Sequence, residues 1–114
     1  MVNVAKKEAE LIKQVLEDHK VEDVSLIDVS KMSPFASYYV LATCINVTSL
    51  DAIPDILEEE LEKENLHVSL RQGNANSGWV IVQVEDVLVH LFLAANRREI
   101  NLEELITKYV NLLK

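Results

Sequence analysis

The chain has 114 residues and is 49% hydrophobic, enough for one sizeable core, and residues 1–114 are expected to form a single domain without a linker. Its formal charge of −8, from 19 acidic and 11 basic residues, disfavours a surface built to neutralise the phosphates of DNA or RNA and suits a basic protein partner instead. No apolar run approaches the roughly 20 residues of a membrane span, and Lys6, Lys7 and Glu8 stand where a signal peptide would be apolar, so the chain is expected in the cytosol.

From the N-terminus, VAKKEAELIKQVLEDH places Ala5, Ala9, Ile12 and Leu16 at helical spacing, with Leu11 and Val15 beside them and Asn3 as N-cap. Residues 24–29 (VSLIDV) are short, apolar and β-branched, a first strand, and 30–37 (SKMSPFAS) carry turn-forming serines and Pro34. Residues 38–45 (YYVLATCI) form a second, fully apolar strand, which implies burial on both faces under helices. Its Cys44 is the one cysteine of the chain and reads as a buried core thiol.

Between 48 and 66, Leu50, Ile53, Leu57 and Leu61 again follow a helix, with Thr48, Ser49 or Asp51 as candidate caps. A start at Thr48 would put Pro54 where it deletes an internal hydrogen bond, and a start at Asp51 would put it in the first turn, so the reading favours an irregular first turn. Glu58, Glu59, Glu60, Glu62 and Glu64 read as the solvated side of that helix. Residues 67–70 are a third strand, and RQGNANSG, which holds both glycines, is read as a mobile loop.

The segment from Trp79 to Leu105 is the most informative. It reads as two strands meeting at Glu85-Asp86. A two-residue turn sets Val84 opposite Val87, Val82 opposite Val89 and Val80 opposite Leu91, so these aliphatic side chains share one face, the core. The other face then carries Trp79 opposite Phe92, Ile81 opposite His90 and Gln83 opposite Leu88, and its mixed chemistry makes it the place to look for function. Asn101 is expected to cap the final helix, with Glu104 completing a capping box and Leu102, Leu105, Tyr109 and Leu113 forming its buried stripe. The order α-β-β-α-β-β-β-α implies an α/β (α+β) domain with three helices and a mixed five-stranded sheet, the middle helix crossing between parallel neighbours.

Catalytic chemistry is hard to assemble from these residues. His19, His67 and His90 have no partners at metal-ligand spacing, no phosphate-cradling glycine motif occurs, and neither metal nor cofactor is expected. Asp51, Asp55 and Glu58 on one helix read as wet surface rather than as a cation site. His90, in a strand otherwise of Val, Leu and Phe, reads as a hydrogen-bonded, half-buried residue. Trp79 combines bulk with an N–H donor, which suits an interface anchor.

YYVLAT in the second strand, the hairpin running from Trp79 to DVLVHLF, the Arg98 that follows it and NLEEL at the last helix together resemble the ribosomal silencing factors, the RsfS or Iojap-like family. In that family the second strand typically reads like DYFVIATG, the hairpin like WVLLDYGDVVVHVF and the last helix like RxFYxLExLW. Departures here are Gln83-Val84-Glu85 for Asp-Tyr-Gly, Ser37 for Asp, Cys44 for Gly, and Ile100 and Ile106 for an aromatic and a Trp. The resemblance implies a non-enzymatic factor that docks on the large ribosomal subunit, on the ribosomal protein named L fourteen, hinders joining of the small subunit and lowers translation when nutrients are scarce. On that reading Trp79, Ile81, His90 and Phe92 form the contact patch, and Asp86, Arg98 and Glu103 orient it or sit at its rim. Two competing readings are a homodimer that pairs its exposed sheet face with itself, and a nucleotidyltransferase-like enzyme, for which the Gly-Ser pair and closely spaced Asp residues are missing.

Overall fold

The computed structural model describes residues 4–112. Helix α1 (Val4–Asp18) leads into strands β1 (Glu22–Asp28) and β2 (Tyr38–Cys44), helix α2 (Val47–Glu62) and strand β3 (Val68–Gln72). A 3-10 turn (Ala75–Ser77), strands β4 (Trp79–Val84) and β5 (Val87–Leu93) and a C-terminal helical unit in two segments, α3 (Ala94–Ile100) and α4 (Leu102–Leu112), complete it. The order α-β-β-α-β-β-β-α therefore holds, with the last helical unit divided at Asn101.

One mixed five-stranded sheet runs β1-β2-β5-β4-β3. Strands β2 and β5 are its only parallel neighbours, from Tyr38↔Val87 to Cys44↔Leu93. This corrects the expected crossover. Helix α2 connects β2 to β3, but β5 and β4 lie between those strands. Apolarity explains the placement: β5 (VLVHLFL) is buried along most of its length and takes the centre, while β3 (VSLRQ) is mostly exposed and takes an edge.

On one face of the sheet, Ala5, Ala9, Ile12 and Leu16 of α1 and Leu50, Ile53, Leu57 and Leu61 of α2 close over Val40, Ala42, Val80, Val82, Val84, Val87, Val89 and Leu91. Each fully buried Val, Leu or Ile among them contributes about 1.5–3 kcal/mol relative to exposure, so this layer supplies most of the driving force. Cys44 belongs to it, and burial pushes its thiol up to about 11, out of the reactive range. The acidic run of α2 faces water, save that Glu58, with Asp55, pairs with Arg71 across to β3 at 3.4 and 2.8 Å.

Several local expectations need correction. Helix α2 starts regularly at Val47, because Asn46 caps it through its side-chain oxygen on the Ser49 N–H at 2.8 Å. Pro54 thus lies inside the helix and is buried. RQGNANSG is not a featureless loop: Arg71 and Gln72 continue β3, and Asn74 caps the 3-10 turn. Asn101 does not form a capping box, since its left-handed backbone (φ 47) ends α3 and its side-chain amide donates to the Glu104 carboxylate instead. Among the α4 residues whose side chains are described, 102–109, the buried one is Ile106, while Leu105 and Tyr109 are about half exposed. Spacing alone could not separate 102/106 from 102/105/109, both of which recur on one helical face. Asn3 and Leu113 lie outside the described residues.

The hairpin pairs as expected at every position, from Val84↔Val87 to Trp79↔Phe92. Its turn is strained, because Glu85 adopts φ 51 with no glycine to relieve it. Asparagine tolerates this region better, so Glu85→Asn should stabilise the chain by about 0.5–1 kcal/mol, read as a higher urea midpoint at unchanged slope. An unchanged or lower midpoint would contradict the strain at this turn.

Candidate interaction surface

Away from the α1–α2 layer, the sheet's second face is ordered in three rows by strand register. The first row runs Ile27, Tyr39, Leu88, Gln83 and Leu70; the second runs Ser25, Leu41, His90, Ile81 and Gln72; the third runs Thr43, Phe92 and Trp79. The C-terminal helical unit covers the β1–β2 side of these rows. There Ile106 packs with Val29 and Ala36, joined by Ile27, Met32, Tyr39, Leu88 and Leu102. The β3–β4 side stays open: Trp79, Ile81 and Gln83 are partly exposed and Leu70 and Gln72 exposed, with no formal charge among them.

A short, tightly bonded segment delivers Trp79 to this surface. Gly78 takes φ 80 after the 3-10 turn, its carbonyl accepts from the Leu93 N–H at 3.0 Å, and an added Cβ would collide with the Asn96 side chain. Ser77 Oγ donates to the carbonyls of Asn74 (2.7 Å) and Trp79 (3.1 Å), and Asn96 Nδ2 donates to Ser77 O at 3.2 Å. The indole then has a defined floor. It stacks on Phe92 with centroids 5.2 Å apart and an interplanar angle of 27°, and its N–H donates to His90 Nδ1 at 3.2 Å. His90 in turn lies 4.7 Å from the Tyr39 ring.

Of the expected patch, Trp79 and Ile81 reach solvent, whereas Phe92 and His90 are buried at 0% and 4% exposure and support the surface from beneath. Asp86 is exposed at the opposite end of the hairpin, where its carbonyl accepts from the Ser37 N–H at 2.7 Å. Arg98 is exposed on α3. Glu103 pairs not with Arg98 but with Arg97, a residue the sequence reading passes over because 94–100 shows no helical pattern of apolar residues.

Arg97 is the organising group of that corner. Its side chain is only 13% exposed, and its donors reach Glu103 Oε1 (Nε 3.0 Å, Nη2 2.9 Å), Asp23 O (2.6 Å), Thr43 Oγ1 (3.0 Å) and Ser25 Oγ (3.3 Å). It thereby ties α3 and α4 to β1 and β2. A cleft of about 410 Å³ opens beside it, lined by Asp23, Thr43, Arg98, Asn101 and Glu103 among others. No group of three or more potential metal ligands occurs among the described residues.

Two outcomes follow from these environments. Arg97→Ala should cost about 2 kcal/mol or more by stranding Glu103 and the Asp23 carbonyl, and Arg98→Ala should change stability by less than about 0.5 kcal/mol, both by urea titration. Burial pushes the His90 imidazole down to about 4, so the folded chain keeps it neutral. Above pH 6.5 both folded and unfolded states are neutral and the shift has no effect; below it the unfolded chain binds the proton first. Stability should therefore fall as pH drops from about 6.5 towards 4, by about 2–3 kcal/mol more than in His90→Phe, and equal falls in the two proteins would refute the burial effect.

The family model described as "Ribosomal silencing factor during starvation" (RsfS) matches residues 2–111. The chain is 27% identical over 89 residues to the ribosomal silencing factor RsfS of Bacillus subtilis, covering 78% of this chain and 75% of that protein. It is 29% identical over 91 residues to the chloroplastic Iojap protein of Arabidopsis thaliana, covering 80% of this chain and 38% of that longer protein. A crystal structure of a Chromobacterium violaceum protein superposes with a TM-score of 0.83 at 25% identity, covering 90% and 86% of the two chains. With a family model matching nearly its whole length, the chain belongs to the RsfS family of ribosomal silencing factors, which are regulators of the ribosome and not enzymes.

Proposed function

We propose that this protein acts in the cytosol by docking the open β3–β4 half of its sheet on the large ribosomal subunit, against the basic protein L fourteen. Once there it obstructs joining of the small subunit and lowers translation when nutrients are scarce. The observation that supports this most directly is the indole platform: a partly exposed Trp79 backed by buried Phe92 and His90, in a surface without formal charge. Rigid aromatics of this kind dominate binding energy at protein interfaces, and Ile81 and Leu70 extend the apolar area beside it. The acidic balance of the chain favours a basic partner and opposes pairing with a second copy of itself.

Sedimentation of the purified protein with isolated subunits tests the reading. Co-migration with the large subunit is expected; co-migration with the small subunit only, or with neither, would reject it. Trp79→Ala should weaken large-subunit binding at least tenfold while leaving the circular dichroism spectrum folded, in line with the ~2 kcal/mol or more that anchor residues carry.

A further inference from the structure

His90 presents a conflict between stability and chemistry. The indole N–H of Trp79 can only donate, so His90 Nδ1 must accept, and the neutral imidazole must carry its proton on Nε2. That Nε2 is buried and has no hydrogen-bond partner. A buried donor left unsatisfied is destabilising, and the site needs only a ring to fill it: His90 packs nearly parallel to Phe92 (11°, centroids 6.2 Å) and against Tyr39. Phenylalanine would make those contacts without the orphaned N–H. What phenylalanine lacks is an acceptor for the indole.

The geometry points to His90 as the positioning residue of the docking surface: by accepting the Trp79 N–H, it holds the indole flat on Phe92 in the one orientation offered to the ribosomal partner. This rests on the docking role proposed for Trp79. Two constraints on the ring, the Phe92 stack below and the His90 bond at its edge, remove the rotamer freedom that a partly exposed tryptophan otherwise loses on binding. His90 itself touches no partner, being 4% exposed. Its effect is carried wholly by the indole.

The test separates positioning from packing by asking stability and binding to move in opposite directions. At pH 7, histidine-labelled wild-type protein should show His90 as the Nε2–H tautomer, and an Nδ1–H tautomer overturns the inference. His90→Phe should be at least as resistant to urea as wild type yet bind large subunits about fivefold more weakly, and the indole N–H resonance, the one such signal in a chain with a single tryptophan, should exchange faster with water. His90→Asn sets its Oδ1 where Nδ1 was, and should bind within about twofold of wild type in spite of the cavity it leaves. Stability and binding falling together in His90→Phe, or His90→Asn binding no better than His90→Phe, returns the residue to a packing role. Wild-type binding by His90→Phe while Trp79→Ala loses binding overturns the positioning role and leaves the docking surface standing. Wild-type binding by Trp79→Ala overturns both.

Discussion

The register of the hairpin that closes at Glu85-Asp86 assigns every side chain of β4 and β5 to a face. Slipping the pairing by one position would turn Val80, Val82 and Val84 outward and drive Trp79, Ile81 and Gln83 under α1 and α2. At about 1.5–3 kcal/mol for each aliphatic side chain exposed, three such losses already rival the whole stability of a typical domain, about 5–15 kcal/mol. The strain at Glu85, of order 1 kcal/mol, is small beside that. Register is therefore enforced by burial, with the turn bent to fit, and the presentation of the indole inherits its certainty from the valines behind it.

What register does not decide is how much of the second face remains open. That depends on the C-terminal helical unit, and within it on Arg97 and Asn101. Asn101 enters the left-handed region, ends α3 after seven residues and lets α4 leave in a new direction. Arg97 then anchors the joint by bonding at once to Glu103 of α4, to the Asp23 carbonyl and Ser25 of β1, and to Thr43 of β2. Both residues act on the β1–β2 side. Helix α4 consequently covers Ile27 and Tyr39, and Trp79 and Ile81 are left at the surface while His90 and Phe92 lie buried.

The hairpin was readable in the sequence because its information is local: alternation with period two, on both sides of a polar pair, admits one pairing. Helix α1 was readable for the same reason, its buried Ala5, Ala9, Ile12 and Leu16 being the residues its periodicity picks out. Features set by tertiary partners were not. Pro54 argues for an irregular first turn in α2, but the Asn46 cap and the apolar floor beneath the helix outweigh one missing hydrogen bond. Helical spacing permits a buried stripe through Leu105 and Tyr109, whereas the direction set by Asn101 turns Ile106 to the sheet instead. The role of Arg97 is legible only once residues 23, 25, 43, 97 and 103 have been brought together, and no spacing rule links them. Of the candidate surface, the pairing of Trp79 with Phe92 could be deduced, but not which of the two would be exposed.

The distribution of charge complements this division of the sheet. Acidic residues lie on the outer side of α2 and around the hairpin turn, where Glu8, Glu85 and Asp86 are close enough that the two turn residues add to the burial that raises the Glu8 carboxyl. The open rows of the sheet hold none. An excess of negative charge attracts a basic partner over distances comparable with the Debye length, about 8 Å at physiological salt, and raises the rate of encounter. Charge buried within the contact itself would have to give up its water, at a cost that mutual attraction recovers only with well-matched pairs. For the docking role proposed above, acidic groups at the periphery and an uncharged aromatic surface at the centre would separate two tasks: the field would bring a basic neighbour close, and contact with the indole would decide whether it stays.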